Sequence, residues 1–127
     1  DSDQSEQEEG GEDHSLAQAA QLMQQINKYV HDNISNDLSV QTIAEHLNKS
    51  ASHLRLLVRN QLGMGLGYYI RRVRVNHAQW LLINTDSPID YISEKCGFSS
   101  PQTFSRSFRN LVGISPSQFR RRHKIVP

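Results

Sequence analysis

The chain has 127 residues, 36% of them apolar and 21% charged, with a formal net charge of +1. That size holds one ordinary domain or two very small units sharing a core, and the low apolar share suits short amphipathic helices better than a thick buried sheet. No apolar run approaches the roughly 18–20 residues that cross a bilayer, and the single Cys96 excludes an intrachain disulfide and suits a reducing cytoplasm.

The charge is unevenly spread. Seven of the thirteen acids (Asp1, Asp3, Glu6, Glu8, Glu9, Glu12 and Asp13) fall in the first thirteen residues, which hold no Lys or Arg. The rest carries fourteen bases against six acids, a net of +8, so a polyanionic partner fits the body of the chain. Residues 1–14 read as an acidic disordered tail with almost nothing to bury, either a solvated linker or an autoinhibitory arm competing for the basic surface. The acidic start has no hydrophobic segment of the signal-peptide kind. The absence of an initiating Met points to a fragment that follows an upstream domain.

Seven helices and no strand are predicted, an all-α fold. The first spans about 15–33, opened by a Ser15/Gln18 capping-box pattern, with Leu16, Ala19, Met23, Ile26 and Val30 as its apolar stripe. A short helix over 39–48 buries Val40, Ile43, Ala44 and Leu47. Ser50 then caps a third, about 51–61, with Leu54, Leu57 and Val58 inward and Gly63 closing it. The fourth, about 66–84, carries Tyr69, Ile70, Val73, Ala78, Leu81 and Leu82. Ser87 is expected to cap the fifth, with Pro88 at its first position, and Ile89 and Ile92 turn inward before Cys96-Gly97-Phe98 ends it. The sixth, about 101–112, buries Phe104, Phe108 and Leu111. Ser115-Pro116-Ser117-Gln118 is a capping box for a last short helix holding Phe119, followed by Arg120, Arg121, Arg122, His123 and Lys124.

A repeat runs through this list. RNQLGMGLGYYIR (59–71) and RNLVGISPSQFRR (109–121) share Arg59/Arg109, Asn60/Asn110, Gly63/Gly113 and Arg71/Arg121. Upstream, Leu54/Phe104 and Val58/Phe108 keep the same offset of 50, while Ile43/Ile92 and Glu45/Glu94 are offset by 49. Each unit is a short helix, a tight turn, a longer helix, then a Gly and a capped helix, which is the pattern of a helix-turn-helix. The units are placed at 15–64 and 86–127, joined by a linker helix at 65–85. In such a motif the second helix enters the DNA major groove with its N-terminal residues at the base edges. Removing the buried positions leaves Ser52, His53, Arg55, Leu56 and Arg59 outward on the third helix, and Gln102, Thr103, Ser105, Arg106 and Arg109 on the sixth. Gln suits adenine, Arg suits guanine, and a Thr methyl can meet a thymine methyl. About eighteen residues at roughly 1.5 Å each make the fourth helix a rod of about 27 Å, close to the roughly 34 Å between successive major-groove faces.

From Pro88-Ile89 through Gly97-Phe98, Phe104, Phe108, Gly113, Ser115-Pro116 and Phe119-Arg120, the second half resembles the AraC/XylS family of bacterial transcription regulators. Tyr69-Ile70-Arg71-Arg72-Val73-Arg74 with Ala78 and Leu81-Leu82 resembles that family's linker helix, and the likeness covers about residues 20–122. It implies two helix-turn-helix units bridged by one helix, binding to asymmetric double-stranded promoter sites and recruitment of RNA polymerase. It also implies an N-terminal ligand-binding or dimerisation domain, and with it a homodimer. The family's base-contacting places fall here on Ser52, Arg55 and Leu56 in the first unit and on Pro101, Gln102, Thr103 and Arg106 in the second. Leu56 departs from the polar or basic residue often found there and either touches a thymine methyl or packs on a neighbour. Phosphate contacts are assigned to Lys49, Ser50, Arg59, Ser99 and Arg109. Arg120–Arg122 read equally as a solvated end or a phosphate anchor.

Other chemistry finds no footing. His46 and His53 fall on different helices without a third ligand, Cys96 reads as a buried inert thiol, and no serine has a nucleophile-elbow context. Trp80 is expected at the core or its edge, and Arg74 is expected to pair with Asp90 or Glu94. The reading is a DNA-binding domain without catalysis, metal or cofactor, in the cytoplasm. Its rival is a tandem-helix module whose basic face grips an acidic protein.

Overall fold

The computed structural model describes the backbone of residues 2–124 and the side chains of residues 15–124. Its seven helices are α1 (Ser2–Asp32), α2 (Val40–Leu47), α3 (Ala51–Leu62), α4 (Leu66–Asn84), α5 (Ile89–Lys95), α6 (Pro101–Val112) and α7 (Pro116–His123), with no strand among the described residues.

Two hydrophobic cores lie along the chain, and α4 belongs to both. Its first half supplies Leu66, Ile70 and Val73 to a core with Leu22, Ile26, Val30, Ile43, Leu54 and Val58. Its second half supplies Val75, Ala78 and Leu82 to a core with Ile92, Cys96, Phe104, Phe108 and Phe119. The helix therefore closes one unit and opens the next. In the first it stands where α7 stands in the second, Gly65 and Leu66 matching Ser115 and Pro116. In the second it stands where α1 stands in the first, Met23, Ile26 and Val30 matching Val75, Ala78 and Leu82. The helix ends agree too: the Asn33 side-chain amide donates to Tyr29 O at 2.9 Å, and the Thr85 hydroxyl donates to Leu81 O at 2.6 Å. The repeat is thus a four-helix unit whose copies overlap by one helix. The linker helix expected over 65–85 is α4, and it packs into both units instead of standing apart from them.

Several local expectations change. α1 starts at Ser2, so Ser15 is not a cap and the acidic stretch is helical instead of an irregular tail. Gln and Glu are good helix formers. Leu16 is 66% exposed, and Leu22 takes its place in the stripe. Pro88, at φ −59° and ψ 151°, is itself the N-cap of α5, and Ser87 makes no side-chain cap. Trp80 is 58% exposed. With two faces of α4 committed to two cores, the strip through Tyr68, Arg72, Asn76, Trp80 and Asn84 is left outside.

Candidate nucleic-acid interface

Both turns are built alike from different residues. In the first unit Asn48 takes the left-handed conformation (φ 55°) that ends α2, and its N–H donates to Ala44 O and Glu45 O. In the second Gly97 does so at φ 83°, with the N–H of Phe98 donating to Ser93 O at 3.0 Å. Asn and Gly are the residues that enter this region at least cost. Each turn delivers a serine to the start of the next helix: Ser50 Oγ accepts from His53 N–H at 3.1 Å, and Ser100 Oγ accepts from Thr103 N–H at 3.1 Å. The cap of α6 is Ser100, next to the Ser99 singled out from the sequence. Ser93, buried in α5, donates its hydroxyl to Ser100 O at 3.2 Å, tying the turn to the helix that follows. Sequence reasoning passed over Ser93, whose one signal is a polar residue beside Ile92 on the inward face.

Leu54, Leu57 and Val58 of α3 and Phe104 and Phe108 of α6 are buried, which fixes what each helix turns outward. Ser52, His53, Arg55, Leu56 and Arg59 are exposed on α3. Gln102, Thr103, Arg106 and Arg109 are exposed on α6, while Pro101 and Ser105 are half-buried. Leu56 is 62% exposed, not packed into the core. It lies on the rim of two open grooves, one toward Leu38, Val40 and Gly65, the other toward Gln21, Gln25 and Lys49. Lys49, Ser50 and Ser99 are exposed beside the two turns. The Thr103 hydroxyl is held by Ser100 Oγ at 3.0 Å.

Charge is segregated by helix. The acids of the body lie at Asp32, Asp37 and Glu45 and at Asp86, Asp90 and Glu94, on or before α2 and α5. α3, α4, α6 and α7 contain none, so both outward-facing helices and the helix that joins them present only bases and neutral groups. A surface of this kind attracts a polyanion.

The basic end divides. Arg120 donates from Nε to Leu82 O at 3.1 Å and from a terminal nitrogen to Thr85 O at 3.2 Å. Lys124 Nζ donates to Thr85 O at 3.3 Å and pairs with Asp86. These cations satisfy carbonyls at the C-terminus of α4 and oppose its dipole, a structural duty. Arg121 and Arg122 remain exposed. Arg74 likewise turns away from Asp90 and Glu94, donating to Ile34 O at 3.4 Å and to Asn36 O at 2.7 Å. Lys124 stands 50 positions after Arg74, so the repeat itself carried the signal for this shared role. Burial pushes the Cys96 thiol up to about 12, against the pull of Arg74, so it stays protonated at neutral pH. No group of three or more metal-ligating side chains occurs among the described residues, nor a helix long and apolar enough to cross a membrane.

Two helix-turn-helix units presenting acid-free helices on a shared scaffold define a double helix-turn-helix DNA-binding domain. The helix-turn-helix domain family matches residues 43–122. The Msm operon regulatory protein of Streptococcus mutans is 38% identical over 97 residues, covering 76% of this chain and 35% of the relative. The chain thus spans about a third of that protein's length. The multiple antibiotic resistance protein MarA of Escherichia coli is 32% identical over 95 residues, covering 75% of each chain. A transcriptional regulator of Chromobacterium violaceum, described as an AraC-type DNA-binding domain-containing protein, superposes with a TM-score of 0.78 at 31% identity, covering 84% of this chain and 96% of its own. The chain belongs to the AraC/XylS family of transcription regulators and is an AraC-type DNA-binding domain.

Proposed function

We propose that the domain reads an asymmetric double-stranded promoter site, with α3 and α6 entering successive major-groove segments on one side of the duplex. The observation that carries this reading is that the only two helices following helix-turn-helix turns among the described residues are acid-free outward and are held on one 19-residue helix, α4. Arg55 and Arg106 are the guanine readers and Gln102 reads adenine; the Thr103 methyl and Leu56 meet thymine methyls. Ser52 and Pro101 lie against the base edges at the helix starts. Lys49, Ser50, Arg59, Ser99 and Arg109 hold phosphates and fix register without reading sequence. Arg121 and Arg122 add sequence-independent attraction. RNA polymerase as a partner, and dimerisation through a domain upstream of Asp1, are consistent with this role, as is action in the bacterial cytoplasm.

Selection of bound duplexes from a random pool, followed by titration at several salt concentrations, tests the reading. A bipartite motif with two halves about one helical turn apart is expected. For Arg109→Ala, affinity is expected to fall on every duplex and the salt slope to drop by about 0.9. Recovery of no enriched motif, or an Arg109→Ala slope equal to that of the unmodified chain, would falsify the assignment. Negligible binding to any duplex would favour a module for an acidic protein.

A further inference from the structure

The two cores meet at one residue. Val73 is the last α4 side chain in the first core and Val75 the first in the second, and Arg74 lies between them. Its guanidinium spans 40 residues back to the turn between α1 and α2, donating to Ile34 O and Asn36 O. Gly97, in the helix-turn-helix turn of the second unit, presses on the same spot. A Cβ at Gly97 would lie 2.2 Å from Ile34 O and 2.8 Å from Arg74 Nε, and φ 83° already restricts the position to glycine. The connecting turn of the first unit, the mid-point of α4 and the reading turn of the second thus converge on one charged clasp, with Asp37 adding its field.

Arg74 belongs to neither core, each of which has its own set of buried side chains. What it constrains is the angle between the units. Gly97 is three residues before Ser100, which caps α6, and Ser93 couples that cap to α5. A displacement at the clasp therefore moves the start of α6, where Gln102 and Thr103 sit. The choice of Arg fits the geometry. A planar fork presents its N–H groups to two carbonyls in one fixed orientation, which a freely rotating ammonium does not.

We infer that Arg74 is a positioning residue, clasping the Ile34–Asn36 turn against the Gly97 turn so that α3 and α6 meet the DNA at one fixed spacing and rotation. This rests on the two-headed reading above. Rigid coupling is what lets two weak half-sites act as one strong site, a gain of about 10²–10⁴ over either alone.

The test uses the duplex recovered by selection, its isolated second half, and a version with one base pair inserted between the halves, which rotates one half by about 34°. The unmodified chain should bind the full site far better than the half-site and lose about tenfold or more on the insertion. Arg74→Ala should bind the half-site unchanged, lose about tenfold on the full site, and show little penalty for the insertion. Arg74→Lys should fall between the two. Full-site and half-site affinity falling together, or an intact insertion penalty in Arg74→Ala, would overturn the clasp. An unmodified chain that does not distinguish full site from half-site would instead overturn the two-headed reading. If Arg74→Ala fails to fold, Arg74→Lys carries the same measurements. Residual dipolar couplings of the free protein should then show the second unit rotated against the first, and an unchanged inter-unit angle counts against the proposal.

Discussion

Leu54 and Val58 share the first core with Ile26, Val30 and Ile43, whereas the repeat-equivalent positions in the second core are Phe104 and Phe108. Rings chain through that second core, Phe98 to Phe104 at 5.1 Å, Phe104 to Phe108 at 5.7 Å and Phe108 to Phe119 at 5.4 Å. One chain path has been filled once with aliphatic side chains and once with aromatic ones. The outward faces differ as well: where α3 has Leu56, α6 has Arg106 at the same repeat position. A core asks for volume on the inward face and accepts several solutions. An outward face has no such constraint, so each unit is free to read a different half-site.

The largest expected contrast lies in the cores. Phe104→Ala should cost about 3–5 kcal/mol, including contacts with two neighbouring rings, and Leu54→Ala nearer the low end of about 2–5 kcal/mol. Denaturant titration gives both losses, and alkylation of Cys96 shows which unit opens, since that thiol is buried in the second core. Equal losses with equal alkylation in both variants would mean that α4 makes the two cores one cooperative block.

The faces come next. Exchanging the odd pair, Arg106→Leu should erase discrimination at one base pair of the second half-site, about 1–3 kcal/mol, while Leu56→Arg should create a guanine preference of similar size in the first. Competition binding with single-base operator variants reads both. Equal weakening on all sequences would assign position 106 to the phosphate backbone instead.

The smallest contrast is at the caps. Ser115 makes a full capping box with Gln118, its hydroxyl accepting from Gln118 N–H at 3.2 Å. The matching Gly65 makes no side-chain cap, and a Cβ there would meet only Arg59 at an ordinary 3.6 Å. Gly65→Ser should therefore stabilise the protein by about 0.5–1 kcal/mol through the added cap and the lost chain entropy. A lower melting temperature would show that Arg59 needs the open space over Gly65.

Much of this was legible in the residues. The helices from α2 to α7 follow from apolar spacing and from Ser50, Gly63, Gly113 and Ser115, because caps and periodicity are local properties. The outward residues of α3 and α6 followed by subtraction once the inward ones were known. The errors share a cause. Arg74 was expected to pair with Asp90 or Glu94, and Arg120 to be solvated or to anchor phosphate, yet each donates to backbone carbonyls 35–40 residues away. A carbonyl acceptor leaves no mark on the sequence, since every residue has one. Trp80, expected at the core or its edge, is exposed because α4 gives its apolar positions to two cores on other faces.

By itself the sequence determined that there are two copies of one unit, where the helices from α2 to α7 lie, and most of the side chains that α3 and α6 turn outward. Short-range forces decide those things: capping, periodicity and the left-handed turn at Gly97. Only the tertiary structure decided that the copies overlap on α4 and that Arg74 and Gly97 lock the angle between them. That angle depends on a guanidinium, two carbonyls and a missing Cβ, brought together from three segments far apart along the chain.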